Sequence, residues 1–215
     1  MSRLQRGRLI TIEGGEGAGK STQAALLAAT LQERGIKVVA TREPGGSPGA
    51  EAVRRLLLEG DGERWDAASE ALLLVAARRD HVEKLIAPAL ARGDWVVCDR
   101  FADSTVAYQG WGSGLPLDEL RWLHRFALRD FLPDLTIILD LPVEIGLARA
   151  AARAATADRF ERLDHGFHER LRQGFEAIAA AEPTRCVLID AVPKPQRVQR
   201  VVWAAVEARL GAALP

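Results

Sequence analysis

Residues Gly14-Gly15-Glu16-Gly17-Ala18-Gly19-Lys20-Ser21 match the pattern G-x-x-x-x-G-K-[ST], and nothing else in the chain restricts its fold as tightly. An apolar run, Leu9 to Ile12, precedes the match, and an Ala/Leu-rich stretch from Gly19 to about Arg34 follows it and stops at Gly35. This is the strand-before, helix-after context that such a loop requires. The glycines allow successive backbone N–H groups to turn toward an anion, and the helix N-terminus adds a favourable dipole. The loop therefore predicts a bound nucleoside triphosphate. Lys20 is placed to reach its β- and γ-phosphates, the Ser21 hydroxyl to ligate Mg2+, and Thr22 to extend the phosphate contacts. The loop alone does not separate a kinase from a motor, a switch or a transporter ATPase.

Short apolar runs alternate with longer helical stretches. Strands are predicted at Leu9–Ile12, Ile36–Thr41, Trp95–Cys98, Leu135–Leu139 and Cys186–Ile189, and helices at about 47–59, 67–91 and 194–210. Strands that are apolar on both faces and separated by helices predict a parallel sheet covered on two sides. The fold class is thus α/β, in one domain over 1–215. Ligands of such sheets gather at the carboxyl ends of the strands, which here carry Glu13, Arg42, Glu43, Asp99, Arg100, Asp140 and Asp190. The apolar stretch around Leu72 to Val75 suggests a helix buried on both sides, as at a dimer interface. Trp65, Trp95, Trp111, Trp122 and Trp203 are scattered, which suits core or interface packing. The charge-rich segment from Arg149 to Arg172 reads either as a solvated helix face or as a lid closing over phosphates. His165 and His168 find no carboxylate or cysteine cluster in the sequence to complete a metal site.

Lys plus Arg and Asp plus Glu balance at 29 each, so no bulk positive field favours a nucleic-acid polymer. Cys98 and Cys186 border apolar strands and read as thiols in a reducing compartment. No apolar run approaches membrane-spanning length and no signal peptide is recognisable, so a soluble cytoplasmic protein is expected. A guanine-reading Asn/Thr-Lys-x-Asp is missing, because Lys37, Lys84 and Lys194 lack the aspartate two residues on. A kinase needs positive charge converging on two sets of phosphates. Lys20, Arg42, Arg100 and the arginines of the 149–172 segment supply it.

Several motifs then occur in order along nearly the whole chain: the loop with Glu13 before it, Thr41-Arg-Glu-Pro-Gly-Gly, Ala76-Ala-Arg78, Asp99-Arg100, Ser104-Thr-Val-Ala-Tyr-Gln-Gly110, Arg129-Asp-Phe-Leu-Pro-Asp-Leu-Thr136 and Leu139-Asp-Leu. Together they resemble bacterial thymidylate kinases. The resemblance implies a P-loop NTPase-type three-layer sandwich with a five-stranded parallel sheet in the order 2-3-1-4-5 and a mobile lid at about 149–165. It also implies transfer of the ATP γ-phosphate to dTMP, with Mg2+, by a homodimer.

Residue roles follow from the same resemblance. Glu16 accepts from the acceptor's 3′-OH. Arg42 and Arg100 hold the dTMP phosphate, and Glu43-Pro44 shapes a turn of unusual backbone. Asp99 acts near Mg2+, directly or through water. Arg78 donates to thymine O4, with Ser104, Thr105 and Gln109 on the N3 edge and Tyr108 against the sugar. Leu74 stands where the family commonly has a phenylalanine that stacks on thymine, which replaces about 0.5–1.5 kcal/mol of aromatic contact by aliphatic packing. Gly17 stands where some members carry an arginine. Arg153 therefore becomes the candidate transition-state cation, with Arg149 one turn earlier either assisting it or flanking adenine, and Arg159 matching a further motif. The alternatives are another nucleoside monophosphate kinase of looser base selectivity and a non-catalytic ATP sensor.

Overall fold

A computed structural model describes residues 6–59, 64–153 and 163–214. The five predicted strands are present as β1 Leu9–Gly14, β2 Val38–Arg42, β3 Trp95–Asp99, β4 Leu135–Asp140 and β5 Cys186–Asp190. They form one parallel sheet in the order β2-β3-β1-β4-β5, as the resemblance implied. β2 begins at Val38 rather than Ile36. The Ile36 N–H instead bonds back to the Leu31 carbonyl at 3.1 Å and closes the preceding helix.

The central strand β1 is buried along its whole length, and its alternating side chains divide the core. Ile10 and Ile12 pack with Leu27 and Leu31 of α1 (Lys20–Glu33) and with Val198, Val202 and Val206 of α9 (Pro195–Leu210). Leu9 joins Val96, Cys98 and Phe101 on the opposite face. That face is covered by three helices. The first is α3 (Ala67–His81), which continues through a π-helical turn into α4 (Ala87–Ala91). The second is α5 (Ala102–Thr105), which continues as a π-helical stretch to Gly112, and the third is α8 (His165–Ala181). This is the expected three-layer arrangement. Helix α2 (Pro48–Leu58) packs on α3, as does α6 (Leu117–Leu128), and α7 (Val143–Arg153) follows β4. Capping agrees with the sequence: Ser47, Asp66 and Asp164 each accept a backbone N–H at the start of α2, α3 and α8.

Val75 is buried, but Leu72 is 57% exposed, so α3 is not covered on both sides within one chain. Leu72 faces outward, and on neighbouring α6 the Trp122 and Phe126 rings stack at 5.5 Å and are also exposed. Cys98 and Cys186 are buried and unpaired. Among the described residues no helix is long and apolar enough to cross a membrane.

Candidate active site

Three glycines of the phosphate loop, Gly14, Gly17 and Gly19, have positive φ, and at two of them a side chain would also meet backbone. A Cβ on Gly14 (φ +135) would lie 2.5 Å from the Leu139 carbonyl oxygen, and one on Gly17 (φ +66) only 2.0 Å from that of Gly146. The loop is thus pressed onto β4 on one side and onto the first turns of α7 on the other. Lys20 is buried, donating to the Gly15 carbonyl at 2.6 Å. Burial, followed by the charge of Arg100, lowers its pKa to about 8. Ser21 Oγ donates to Asp99 Oδ2 at 2.5 Å. A hydroxyl and a carboxylate oxygen so placed, at the foot of the phosphate loop, are the hard donors that Mg2+ takes alongside phosphates.

From the end of β3 the chain turns through Arg100, whose φ of 69 is rare for a non-glycine residue. This turn directs its guanidinium back over the loop. Arg100 bonds Glu16 Oε1 at 2.8 Å and reaches the Gly14 carbonyl and Ser104 Oγ at 3.3 Å. The Tyr108 hydroxyl donates to the same Glu16 oxygen. Burial alone would raise the Glu16 carboxyl, but Arg100 and Lys20 beside it, with the Tyr108 hydrogen bond, hold it at about 2. Glu16 therefore remains a carboxylate at any working pH.

A cleft of about 590 Å³ opens beside this cluster. It is lined by Glu16, Glu43, Leu74, Arg78, Arg100, Ser104, Thr105, Tyr108 and Gln109, together with Pro44, Arg54, Leu58 and Phe101. Of the predicted acceptor-site residues only Arg42 lies outside this lining. Its side chain is exposed and paired with Glu51 at 3.1 Å. The Glu43–Pro44 peptide bond is cis, the unusual backbone expected of that turn. Arg78 is almost fully buried and held on three sides: Nε donates to Glu43 Oε2 at 2.7 Å, and Nη2 to the Phe101 carbonyl at 3.1 Å and to Thr105 Oγ1 at 3.0 Å. Ser104 Oγ donates to Glu13 Oε2 at 2.5 Å. Ser104 and Thr105 thus hold the two arginines in place. Gln109 differs. Its amide nitrogen donates to Glu70 at 2.5 Å, while its buried Oε1 has no hydrogen-bond partner among the described residues.

The match of fold, loop and cleft is accompanied by likeness in sequence. A family model described as thymidylate kinase matches residues 12–202. The chain belongs to the thymidylate kinase family. A family member from Rhodopseudomonas palustris is 57% identical over 213 residues, covering 98% of this chain and 93% of the relative. One from Bradyrhizobium sp. is 55% identical over 207 residues, covering 95% and 92%. The crystal structure of thymidylate kinase from Ehrlichia chaffeensis is similar with a TM-score of 0.76 at 37% identity, covering 94% of this chain and 99% of that one.

The two lid arginines within the described residues part company. Both lie on α7, but Arg149 donates to the carbonyls of Ala191 and Val192, just beyond β5, at 3.0 and 2.9 Å. Arg153 is exposed at the end of the helix. The middle of the expected lid, with Asp158 and Arg159, lies outside the described residues. A second reading needs correction: Glu144 and Glu169 do gather around His165, their ligand atoms within 4.8 Å of one another. Glu169 follows His165 by one helical turn, but Glu144 comes from a different helix, a proximity that spacing along one chain segment does not reveal. Glu144 and His165 are exposed and Glu169 is half-buried, and the Glu144–His165 pair is a surface hydrogen bond of 3.0 Å.

Sequence reasoning passed over Phe101 and His81, because buried polar and aromatic residues read as core, and it gave Glu13 no role beyond its place at the carboxyl end of β1. Glu13 is fully buried, accepting from the Phe101 N–H at 2.7 Å and from Ser104. Burial, then the neighbouring Asp103 carboxylate, push its pKa from 4.5 to about 7. The folded-state value lies above the unfolded one, so between about pH 4.5 and 7 the native protein holds a proton that the unfolded chain has released. Stability contributed by that proton is present below pH 4.5 and is lost as pH rises toward 7. Glu13→Gln is expected to remove this slope, gaining on the order of 2 kcal/mol on the wild type between pH 5 and 8. Thermal unfolding at the two pH values checks it, and parallel curves would mean that Glu13 is already ionised in the native state.

Proposed function

We propose that this chain transfers the γ-phosphoryl group of ATP to dTMP, giving dTDP and ADP. The observation that carries the choice of base is the donor–acceptor pattern of the cleft. Arg78 can only donate. Gln109 directs its amide nitrogen at Glu70, which leaves Oε1, an acceptor only, on the other side. A donor facing a ring carbonyl and an acceptor facing a ring N–H suit O4 and N3–H of thymine. Cytosine presents an amino group and a bare nitrogen at the same positions and leaves both protein groups unsatisfied. Leu74 offers an aliphatic wall where an aromatic ring is common in the family.

The transfer itself demands positioning and charge rather than a general base, because the attacking phosphate oxygen is already ionised near neutral pH. Lys20 and the loop amides grip the donor phosphates, and Arg100 the acceptor phosphate. Arg100 is held by Glu16 Oε1, and Oε2 of the same carboxylate has no partner among the described residues. Oε2 is therefore available to accept from the sugar 3′-OH, with Tyr108 beside it. Arg149, tied to the chain beyond β5, flanks the adenine, and Arg153 is the cation for the transferring group. Ser21 and Asp99 would hold Mg2+, directly or through water, and the ion would there supply charge neutralisation for the phosphates. Arg42 joins the acceptor phosphate by exchanging its exposed partner Glu51 for it.

We further propose that the chain works as a homodimer in the cytoplasm. Exposed Leu72 and Trp122, with Ala68, Leu115 and Leu123 around them, form an apolar depression between α3 and α6 whose burial by a second copy would account for the apolar run on α3. Sedimentation at micromolar concentration tests the dimer, and a monomer overturns it.

The substrate reading is tested by a panel in a coupled ADP-release assay. The expected order of kcat/KM is dTMP, then dUMP lower by about tenfold for one lost methyl group, then dCMP lower by about 10³-fold or more for two unsatisfied polar groups. Faster turnover of dCMP or AMP than of dTMP would overturn the choice.

A further inference from the structure

The inference concerns His81 and rests on the reading of Arg78 as the base-contacting donor. His81 ends α3, one turn beyond Arg78, and is completely buried. Its Nδ1 lies 3.1 Å from Glu43 Oε1, and its Nε2 lies 2.8 Å from Thr41 Oγ1. Glu43 is thus shared: one carboxylate oxygen takes the Arg78 Nε–H and the other takes the imidazole. Because a carboxylate only accepts, the imidazole proton on that side belongs to Nδ1, which leaves Nε2 facing the Thr41 hydroxyl.

The surrounding chain is shaped around this imidazole. Gly46 (φ +85) packs its backbone against it so closely that a Cβ there would lie 2.3 Å from Nε2 and 2.5 Å from Thr41 Oγ1. One residue before His81, Asp80 accepts from Ser47 Oγ at 2.6 Å. A Cβ on Gly49 would lie 2.6 Å from the Asp80 carboxylate. The end of α3 therefore fastens the whole turn from Thr41 to Gly49, and His81 touches it at the point where Glu43 meets Arg78. Engagement of Nε and Nη2 leaves Nη1 as the Arg78 nitrogen without a hydrogen bond among the described residues.

We propose that His81 is a positioning residue for base recognition. It fixes the rotamer of Glu43, and through Glu43 the plane of the Arg78 guanidinium, so that the remaining donor meets the base edge already oriented. A carboxylate held at one oxygen only would be free to swing, and the guanidinium with it. The cost then falls on dTMP binding and base discrimination rather than on phosphoryl transfer, whose groups sit on the loop and at the end of β3.

Two amides separate the two nitrogens of the ring. His81→Asn places its amide nitrogen near the Nδ1 position and keeps the bond to Glu43. His81→Gln reaches the Nε2 position and loses it. Expected for His81→Gln is a rise of about tenfold in KM for dTMP, with kcat and KM for ATP within about twofold and a reduced preference for dTMP over dCMP. His81→Asn is expected to stay within about threefold of the wild type in all of these. Melting temperatures are measured alongside, since a merely structural histidine would lower stability in both variants and leave the preference for dTMP over dCMP unchanged. The inference is overturned if His81→Gln retains wild-type KM and base preference, or if the two variants behave alike. Arg78→Met serves as the reference. If it leaves KM for dTMP unchanged, the reading of Arg78 fails. If it raises KM while His81→Gln does not, only the role of His81 fails.

Discussion

Replacing Arg153 by alanine is expected to lower kcat about 10³-fold while the dissociation constant for dTMP changes by less than about twofold. The reasoning starts from charge. The phosphate loop carries Gly17 where an arginine could otherwise approach the transferring group, so the loop supplies Lys20 alone. Helix α7 meets the loop at Gly146. Residues three and seven further along, Arg149 and Arg153, fall on the same helical face. Arg149 is committed to the carbonyls of Ala191 and Val192, and Arg153, one turn further along the exposed end of α7, is the cation proposed for the phosphoryl group. A cation that acts only as charge develops lowers kcat when removed and leaves ground-state binding of the acceptor intact. Calorimetry of dTMP binding and single-turnover kinetics separate the two quantities. Equal losses in both would count against a transition-state role.

Lys20→Met is expected to reduce kcat/KM for ATP by about 10³-fold without unfolding the protein, because methionine fills nearly the same buried volume. The loss is large for a reason specific to this site. Glu13, Glu16 and Asp99 all lie close enough to Lys20 to favour its charged form. Removing the ammonium leaves those carboxylates facing incoming phosphates with less to offset them. Turnover above a tenth of the wild-type value, at an unchanged melting temperature, would show that Lys20 does not engage the transferred group.

The sheet was legible in the sequence because its strands are apolar on both faces, which only a doubly covered parallel sheet requires. The phosphate loop was legible because its chemistry is contiguous. The long helix after residue 67 was legible to within a few residues, whereas α6 was not placed. Its Trp122 and Phe126 lie on the exposed side. The cleft residues were named individually, yet their division of labour was not. Ser104 and Thr105 offer the same hydroxyls as a base-contacting pair would, and only the fold shows them spent on Glu13, Arg100 and Arg78. The Thr41–His81–Glu43–Arg78 chain joins two segments some forty residues apart, and no periodicity or spacing rule connects them. The apolar run around Leu72 implied a second covered side, and within one protomer Leu72 is exposed.

The approach of Gly17 to Gly146 bears on how such a site could change over time. With the backbones in contact, a side chain at 17 and the present seat of α7 exclude each other. An arginine cannot be added to the loop as a spare while the one on α7 is retained. The two ways of delivering the positive charge are therefore alternative packings, separated by a shift of an entire helix. A single substitution at 17 is expected to displace the helix that carries the existing cation before its own can serve. Any passage between the two arrangements requires the loop and the helix to be remodelled together.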